Sequence, residues 1–254
     1  MSRSTLTATV AKALDLGRGP ELVAIVGGGG KSSLMFALGR ELPGRVVMTT
    51  TTRIFAAQTS QAAVSCSLDD EKWEQQLGAF ESNLLVIGGV EGERAVGVPP
   101  ELPAHMLARP DVTFVVVEAD GSRMLPVKAP AEHEPVIPDE TSLLVAVVGV
   151  DALAGPISEI AHRPERVCAI TGRGPDEYLT PETLAVLLTS SEGGLKDVPP
   201  AARVAVLINK VESPSQREVA RTVADYALRE ARVERIAFGA LQGNNPSDWE
   251  VILR

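Results

Sequence analysis

The chain has 254 residues, 44% of them hydrophobic and 22% charged, which suits a globular protein with a sizeable core. Its formal net charge of −9, with no basic stretch to offset it, argues against a nucleic-acid binder. Two cysteines, an N-terminal stretch without an apolar signal core and no uncharged run long enough for a bilayer point to a cytoplasmic protein without membrane contact.

The first strong element is the apolar run Leu22–Val26, which leads into Gly27-Gly28-Gly29-Gly30-Lys31-Ser32-Ser33. Leu34, Leu38 and Leu42 then recur at helical spacing until Pro43-Gly44 stops the helix. Strand, glycine loop and helix in that order are what a phosphate cradle needs. Glycines let backbone N–H groups approach an anion, and the helix adds its positive end. Lys31 is placed for the β- and γ-phosphates and Ser32 for Mg2+. A full-length Walker loop would begin with glycine at the position of Ile25, so this is a contracted form starting at Gly27. Mur-ligase-type enzymes use a similarly shortened loop.

A second strand, Arg45–Met48, leads into Thr49-Thr50-Thr51-Thr52-Arg53. At the carboxyl end of a strand in an open α/β sheet such hydroxyls face the ligand crevice. Thr50 and Thr51 are candidates for phosphate contact, Thr51 also for Mg2+, and Arg53 for offsetting γ-phosphate charge. After Leu84–Ile87 comes Val112–Val117, whose end carries Glu118, Asp120 and Gly121. A carboxylate at that place holds Mg2+ or its water in phosphate-loop proteins. Either Glu118 or Asp120 is a candidate, and the sequence does not choose.

Residues 122–138 carry Pro126, Pro130, Pro135 and Pro138, which oppose regular secondary structure, so a long functional loop is expected there. Within it His133, between two glutamates, is a candidate for titration near neutral pH. His162 is expected to cap a helix end and Cys168 to lie in the core. Leu143–Val148 and Val204–Ile208 are further strands; the latter ends in Asn209-Lys210-Val211-Glu212. That matches the guanine-reading Asn-Lys-x-Asp of GTPases except for Glu212 in the aspartate's place, so both GTP and ATP stay open. Thr180-Pro181 and Ser213-Pro214 open helices by capping, and Val233–Phe238 is the last expected strand. Alternation of strands and helices predicts an α/β, doubly wound, mostly parallel sheet of the P-loop NTPase type, one domain over 1–254.

The order of the GGGGKSS loop, the threonine run, Glu118-Ala119-Asp120-Gly121-Ser122-Arg123 with its continuation to Pro138, His162-Arg163-Pro164-Glu165 and Ile208-Asn209-Lys210-Val211 resembles the YqeC family. The resemblance implies a nucleotide-binding accessory protein for maturation of a selenium-dependent molybdenum hydroxylase, with that client or its cofactor machinery as partner. Glu118 and Gly121 are also similar to the switch region of nickel-insertion GTPases, an analogy at the level of fold. The expected ligands are Mg2+ and ATP or GTP. Lys31, Glu118, Asp120 and Arg53 are the expected catalytic groups, Ser32, Thr51, Glu118 and Asp120 the expected metal contacts. Gly27, Gly28, Gly29, Gly30, Lys31, Ser32, Ser33, Thr50, Thr51, Gly121, Asn209 and Lys210 are expected to touch nucleotide. Three activities are compatible: an NTPase switch, a phosphotransferase or ligase acting on a small molecule, and a non-hydrolysing nucleotide-binding scaffold.

Overall fold

The apolar runs form strands because β-branched side chains pack well on a pleated surface that is buried on both faces. The computed structural model describes residues 2–7, 9–242 and 248–254, the first six as backbone alone. Ten strands make one sheet: β1 (Ser2–Thr7), β2 (Glu21–Gly27), β3 (Val46–Thr50), β4 (Ser65–Ser67), β5 (Asn83–Ile87), β6 (Phe114–Glu118), β7 (Leu143–Gly149), β8 (Arg203–Asn209), β9 (Arg235–Phe238) and β10 (Asp248–Leu253). Their spatial order is β1-β10-β9-β8-β7-β2-β6-β3-β5-β4. Every pairing from β9 to β4 is parallel, and β10 runs antiparallel to both β9 and β1.

Alternate residues feed cores on opposite faces. Val23 and Ile25 of β2 pack with Val145, Val147 and Leu207 under α1 (Lys31–Glu41), which contributes Leu34, Met35, Phe36 and Leu38. Ala24 and Val26 face the other side, where α4 (Pro181–Thr189) and α5 (Pro214–Ala227) bury Leu184, Leu188, Val223 and Ala227. On that same side α2 (Trp73–Ala79) adds Leu77 against Val47, Leu84 and Val115. The predicted mostly parallel sheet with helices on both faces is therefore the observed architecture.

Several details differ from the sequence reading. The second strand continues through Thr50, so half of the threonine run is strand. Inside 122–138, Val127–Lys128 pairs in parallel with Ala161–His162, so the prolines do not keep that segment free of β structure. His162 ends this short strand rather than a helix, and α3 (Pro164–Thr171) begins after it. Cys168, on α3, is half-buried and packs against the core edge rather than inside it. Ile54–Phe55, Gly89–Glu91 and Arg94–Val96 build a separate three-stranded sheet.

Candidate functional site

Parallel strands end on one edge, and that edge gathers the motifs. Glu118 stands level with Ile25 and Thr50 across its two pairings, and Gly149 stands level with Asn209. A cleft of about 1020 Å³ opens over these ends. Ligands of open α/β sheets bind at that edge because the loops there are free to differ while the strands hold their ends fixed.

The glycine loop is dictated by close backbone approach. Gly27, Gly29 and Gly30 take φ of 99°, 71° and 137°, which side-chain-bearing residues rarely adopt. A Cβ on Gly29 would stand 2.1 Å from the Gly149 nitrogen, and one on Gly30 2.3 Å from Asn209 Nδ2. Three loop N–H groups are already used inside the protein. Gly28 donates to Val147 O at 2.9 Å and Gly29 to Leu125 O at 3.0 Å. Gly27 donates to the Asp120 carboxylate at 3.0 Å. By contrast α1 starts at Gly30 without a side-chain cap, and Gly30, Lys31, Ser32 and Ser33 line the cleft. Any anion held by backbone in this loop is thus held by the start of α1, not by all four glycines.

Around Lys31 lies a buried network of alternating charge. Its ammonium donates to Gly27 O at 2.8 Å and stands 3.3 Å from Asp120 and 3.7 Å from Glu118. Ser32 Oγ donates to Glu118 at 2.7 Å. Asp120 also meets Lys128 at 3.1 Å; Lys128 then donates to Gly121 O at 2.7 Å and to Glu134 at 2.6 Å. Arg163 reaches the same Glu134 oxygen at 2.8 Å. Three carboxylates alternate with three cations, which is what lets buried charge persist. Burial pushes the Glu118 carboxyl upward and Asp120 adds to that; Lys31 and the Ser32 hydroxyl offset only part of it. Burial also raises Glu134, but the hydrogen bonds from Lys128 and Arg163 outweigh it and hold its pKa at about 2.

The predicted site residues separate into three groups. Lys31, Ser32, Ser33, Glu118, Gly29, Gly30, Gly121, Arg53, Asn209 and Lys210 border the cleft. Gly27, Gly28 and Asp120 brace it from behind: Asp120 is 2% exposed and its oxygens serve Gly27, Lys31 and Lys128. Thr50 and Thr51 are committed elsewhere, donating to Glu118 O at 2.9 Å and Val136 O at 2.6 Å. The member of the run that reaches the cleft is Thr52. Arg53 is exposed and pairs with Glu91 at 2.9 Å. Asn209 ties the glycine loop to the turn after β9, donating to Gly29 O at 2.8 Å and accepting from Leu241 N–H at 3.0 Å. Lys210 pairs with Asp151 at 2.6 Å, and Glu212 is an exposed part of the cleft wall.

Sequence reasoning did not select Arg94, Arg123, His162 and Arg163 as site residues, yet all four line the cleft. The positive backbone angles of Arg123 and Arg163 have no signature in their residue type, so only the fold reveals them. Burial, then the charges of Arg163, Lys128 and Arg123, press the His162 pKa down to about 4. His133, in contrast, is exposed.

The molecule is thus an α/β protein with a glycine-loop cleft at the carboxyl edge of a mostly parallel sheet. The YqeC family, described as YqeC protein, matches residues 23–165. A curated relative described as uncharacterized protein YqeC, from Escherichia coli strain K12, is 33% identical over 235 residues, which is 90% of this chain and 91% of its own. The chain belongs to the YqeC family. No solved structure matches it significantly. No helix among the described residues is long and apolar enough to cross a membrane.

Proposed function

We propose that this protein binds a nucleoside triphosphate with Mg2+ as a P-loop-type NTPase, and that the bound state serves maturation of a molybdenum hydroxylase client. The observation that carries the reading is the start of α1: an uncapped helix N-terminus, a buried lysine and a serine hydroxyl held 2.7 Å from a strand-end carboxylate, all at one cleft.

The donor set fits Mg2+. One hydroxyl and one carboxylate, Ser32 and Glu118, already touch, and Mg2+ bound to phosphates takes one or two protein ligands and keeps several waters. Among the described residues no group of three or more His, Cys, Asp or Glu converges as an all-protein metal cage. Held by Ser32 and Glu118, the ion would supply neutralisation of charge on the phosphate oxygens. Lys31 gives up its contacts to Glu118 and Asp120 in favour of phosphate oxygens, while Gly27 O keeps its ammonium in place. Asp120 acts as a positioning residue, fixing the Gly27 N–H and Lys128 so that the loop keeps its shape.

The base is read on the Asn209 side. Asn209 spends its amide bracing two loops, and Lys210 is paired with Asp151, so discrimination falls to the exposed Glu212. A well-placed buried carboxylate is needed for discrimination of roughly 10⁴-fold or more. The expected GTP preference over ATP is therefore smaller than that. A thermal-shift series with ATP, GTP and their diphosphates plus Mg2+ tests both points. A ligand at a hundred times its dissociation constant adds about 2.7 kcal/mol, or about 5–10 °C for a chain of this size. No shift with any nucleotide contradicts the reading, and a preference beyond roughly 10⁴-fold contradicts the role given to Glu212.

A further inference from the structure

The cleft is lined by basic side chains beyond Lys31, the one placed at the start of α1. Its lining has six basic side chains against four acidic ones, in a chain whose net charge is −9. Its volume, about 1020 Å³, lies at the upper end of single-ligand pockets, which run to roughly 1,000 Å³. Two of the six, Arg123 and Arg163, lie respectively on the segment after β6 and immediately before α3, away from Asn209 in the sequence.

Backbone strain marks the cleft, most of it on the same two segments. Six described residues other than glycine have left-handed φ, and four of them border the cleft: Arg123 (50°), Met124 (64°), Arg163 (65°) and Lys210 (63°). Such conformations cost of order 1–3 kcal/mol each and persist where surrounding structure or function demands them. Arg163 is held by Nη1 alone, which donates to Glu134 at 2.8 Å and to Ala129 O at 3.5 Å, so its Nε and Nη2 have no partner among the described residues. Arg123 is exposed and makes no ion pair or hydrogen bond among them. The imidazole of His162 lines the cleft and is neutral at pH 7, since burial and the charges of Arg163, Lys128 and Arg123 all disfavour its proton. Burial is the larger cause, and Arg163, Lys128 and Arg123 add positive charge near the same ring.

We propose that Arg123 and Arg163, with the His162 ring beside them, form a second anion subsite that takes the phosphate or equivalent oxyanion group of a small-molecule ligand bound next to the nucleotide. The Nε and Nη2 edge of the Arg163 guanidinium suits two oxygens of a tetrahedral anion, and Arg123 supplies a second cation from the segment after β6. The Glu134 carboxylate does not compete, because Lys128 and Arg163 Nη1 already hold it. The exposed Glu165 disfavours further negative charge on that side. The nucleotide reading enters only in naming the neighbour of this subsite.

Calorimetric titration of inorganic phosphate into the intact protein, with and without saturating Mg2+ and ADP, tests it. With Mg2+ and ADP bound, one phosphate per chain is expected to bind, and without them the same Arg123-dependent phosphate is expected beside any held at the start of α1. Arg123→Ala is expected to weaken it by at least about tenfold while leaving ADP affinity within about twofold. Arg163→Lys, which keeps a cation for Glu134 but loses the fork, should also weaken phosphate. Absence of saturable phosphate binding, loss of it on adding Mg2+ and ADP, or equal affinity in wild type and Arg123→Ala overturns the inference. If ADP itself fails to bind, the nucleotide reading falls alone, and the dependence of phosphate binding on Arg123 still decides this one.

Discussion

Glu118 and Asp120 both reach Lys31, yet they do different work. Glu118 borders the cleft and accepts from Ser32, whereas Asp120 is turned inward and spends its oxygens on Gly27, Lys31 and Lys128. The sequence left these two open because each is a carboxylate at the end of the same strand; only their neighbours separate them. The same network makes Glu134 the residue whose loss is most informative for stability. Its pKa of about 2 lies below the ordinary value of 4.5, so its contribution is fully present above about 4.5 and is lost as pH falls toward about 2. Glu134→Gln leaves Lys128 and Arg163 without a shared anion, at a cost of about 3 kcal/mol at pH 7. Urea unfolding at pH 7 and pH 3 is expected to show the gap between wild type and variant narrowing at the lower pH. An equal gap at both would mean that Glu134 is not ionised through these pairs. His162 acts in the same direction. Its folded pKa of about 4 is below 6.5, so the unfolded chain takes up the proton first and stability falls as pH drops from about 6.5 to about 4. His162→Gln should flatten the stability profile in that window, and an unchanged slope would contradict the neutral assignment.

At the scale of elements, the glycine loop shows what a sequence motif conceals. Gly27 to Gly30 were readable as a cradle, but the structure puts Gly27 and Gly28 against β7 and the 125–127 segment, and only the later positions at the cleft. A motif reports that backbones come close without reporting which backbone. Two glycines with similar φ separate conformational strain from crowding. Gly172, at the end of α3, has φ 68° and open space around it, so Gly172→Ala should cost about 1 kcal/mol. Gly29, with φ 71° and the Gly149 nitrogen 2.1 Å from a Cβ, should cost about 3 kcal/mol or more as Gly29→Ala. Equal denaturation midpoints for the two variants would show that the loop is not packed as described. β2, β3 and β5 to β9 were legible because apolar runs are buried on both faces, whereas Ser65–Ser67 is too short and polar to be read. Ser2–Thr7 and Asp248–Leu253 were not legible either, since the first is polar and the second is a short apolar run interrupted by Glu250. The short strands at 127–128 and 161–162 fall below any pattern length.

Across the whole molecule, function depends on the sheet gathering residues far apart in sequence at one edge. Lys31, Glu118 and Asn209 are brought together because β2, β6 and β8 run parallel and end on the same edge of the sheet, an arrangement that sequence could indicate only as a class of fold. Strand order was not legible, because crossover connections leave no local trace, and neither was the basic wall contributed by Arg123 and Arg163. The central claim is that the start of α1 binds triphosphate with Mg2+. Calorimetry of wild type, Lys31→Ala and Ser32→Ala against ATP and GTP, each with and without Mg2+ and each checked for native fold by circular dichroism, tests it most directly. Lys31→Ala is expected to weaken binding strongly in both conditions, and Ser32→Ala to remove most of the Mg2+-dependent part while leaving the rest. Equal affinities in wild type and Lys31→Ala would contradict the account.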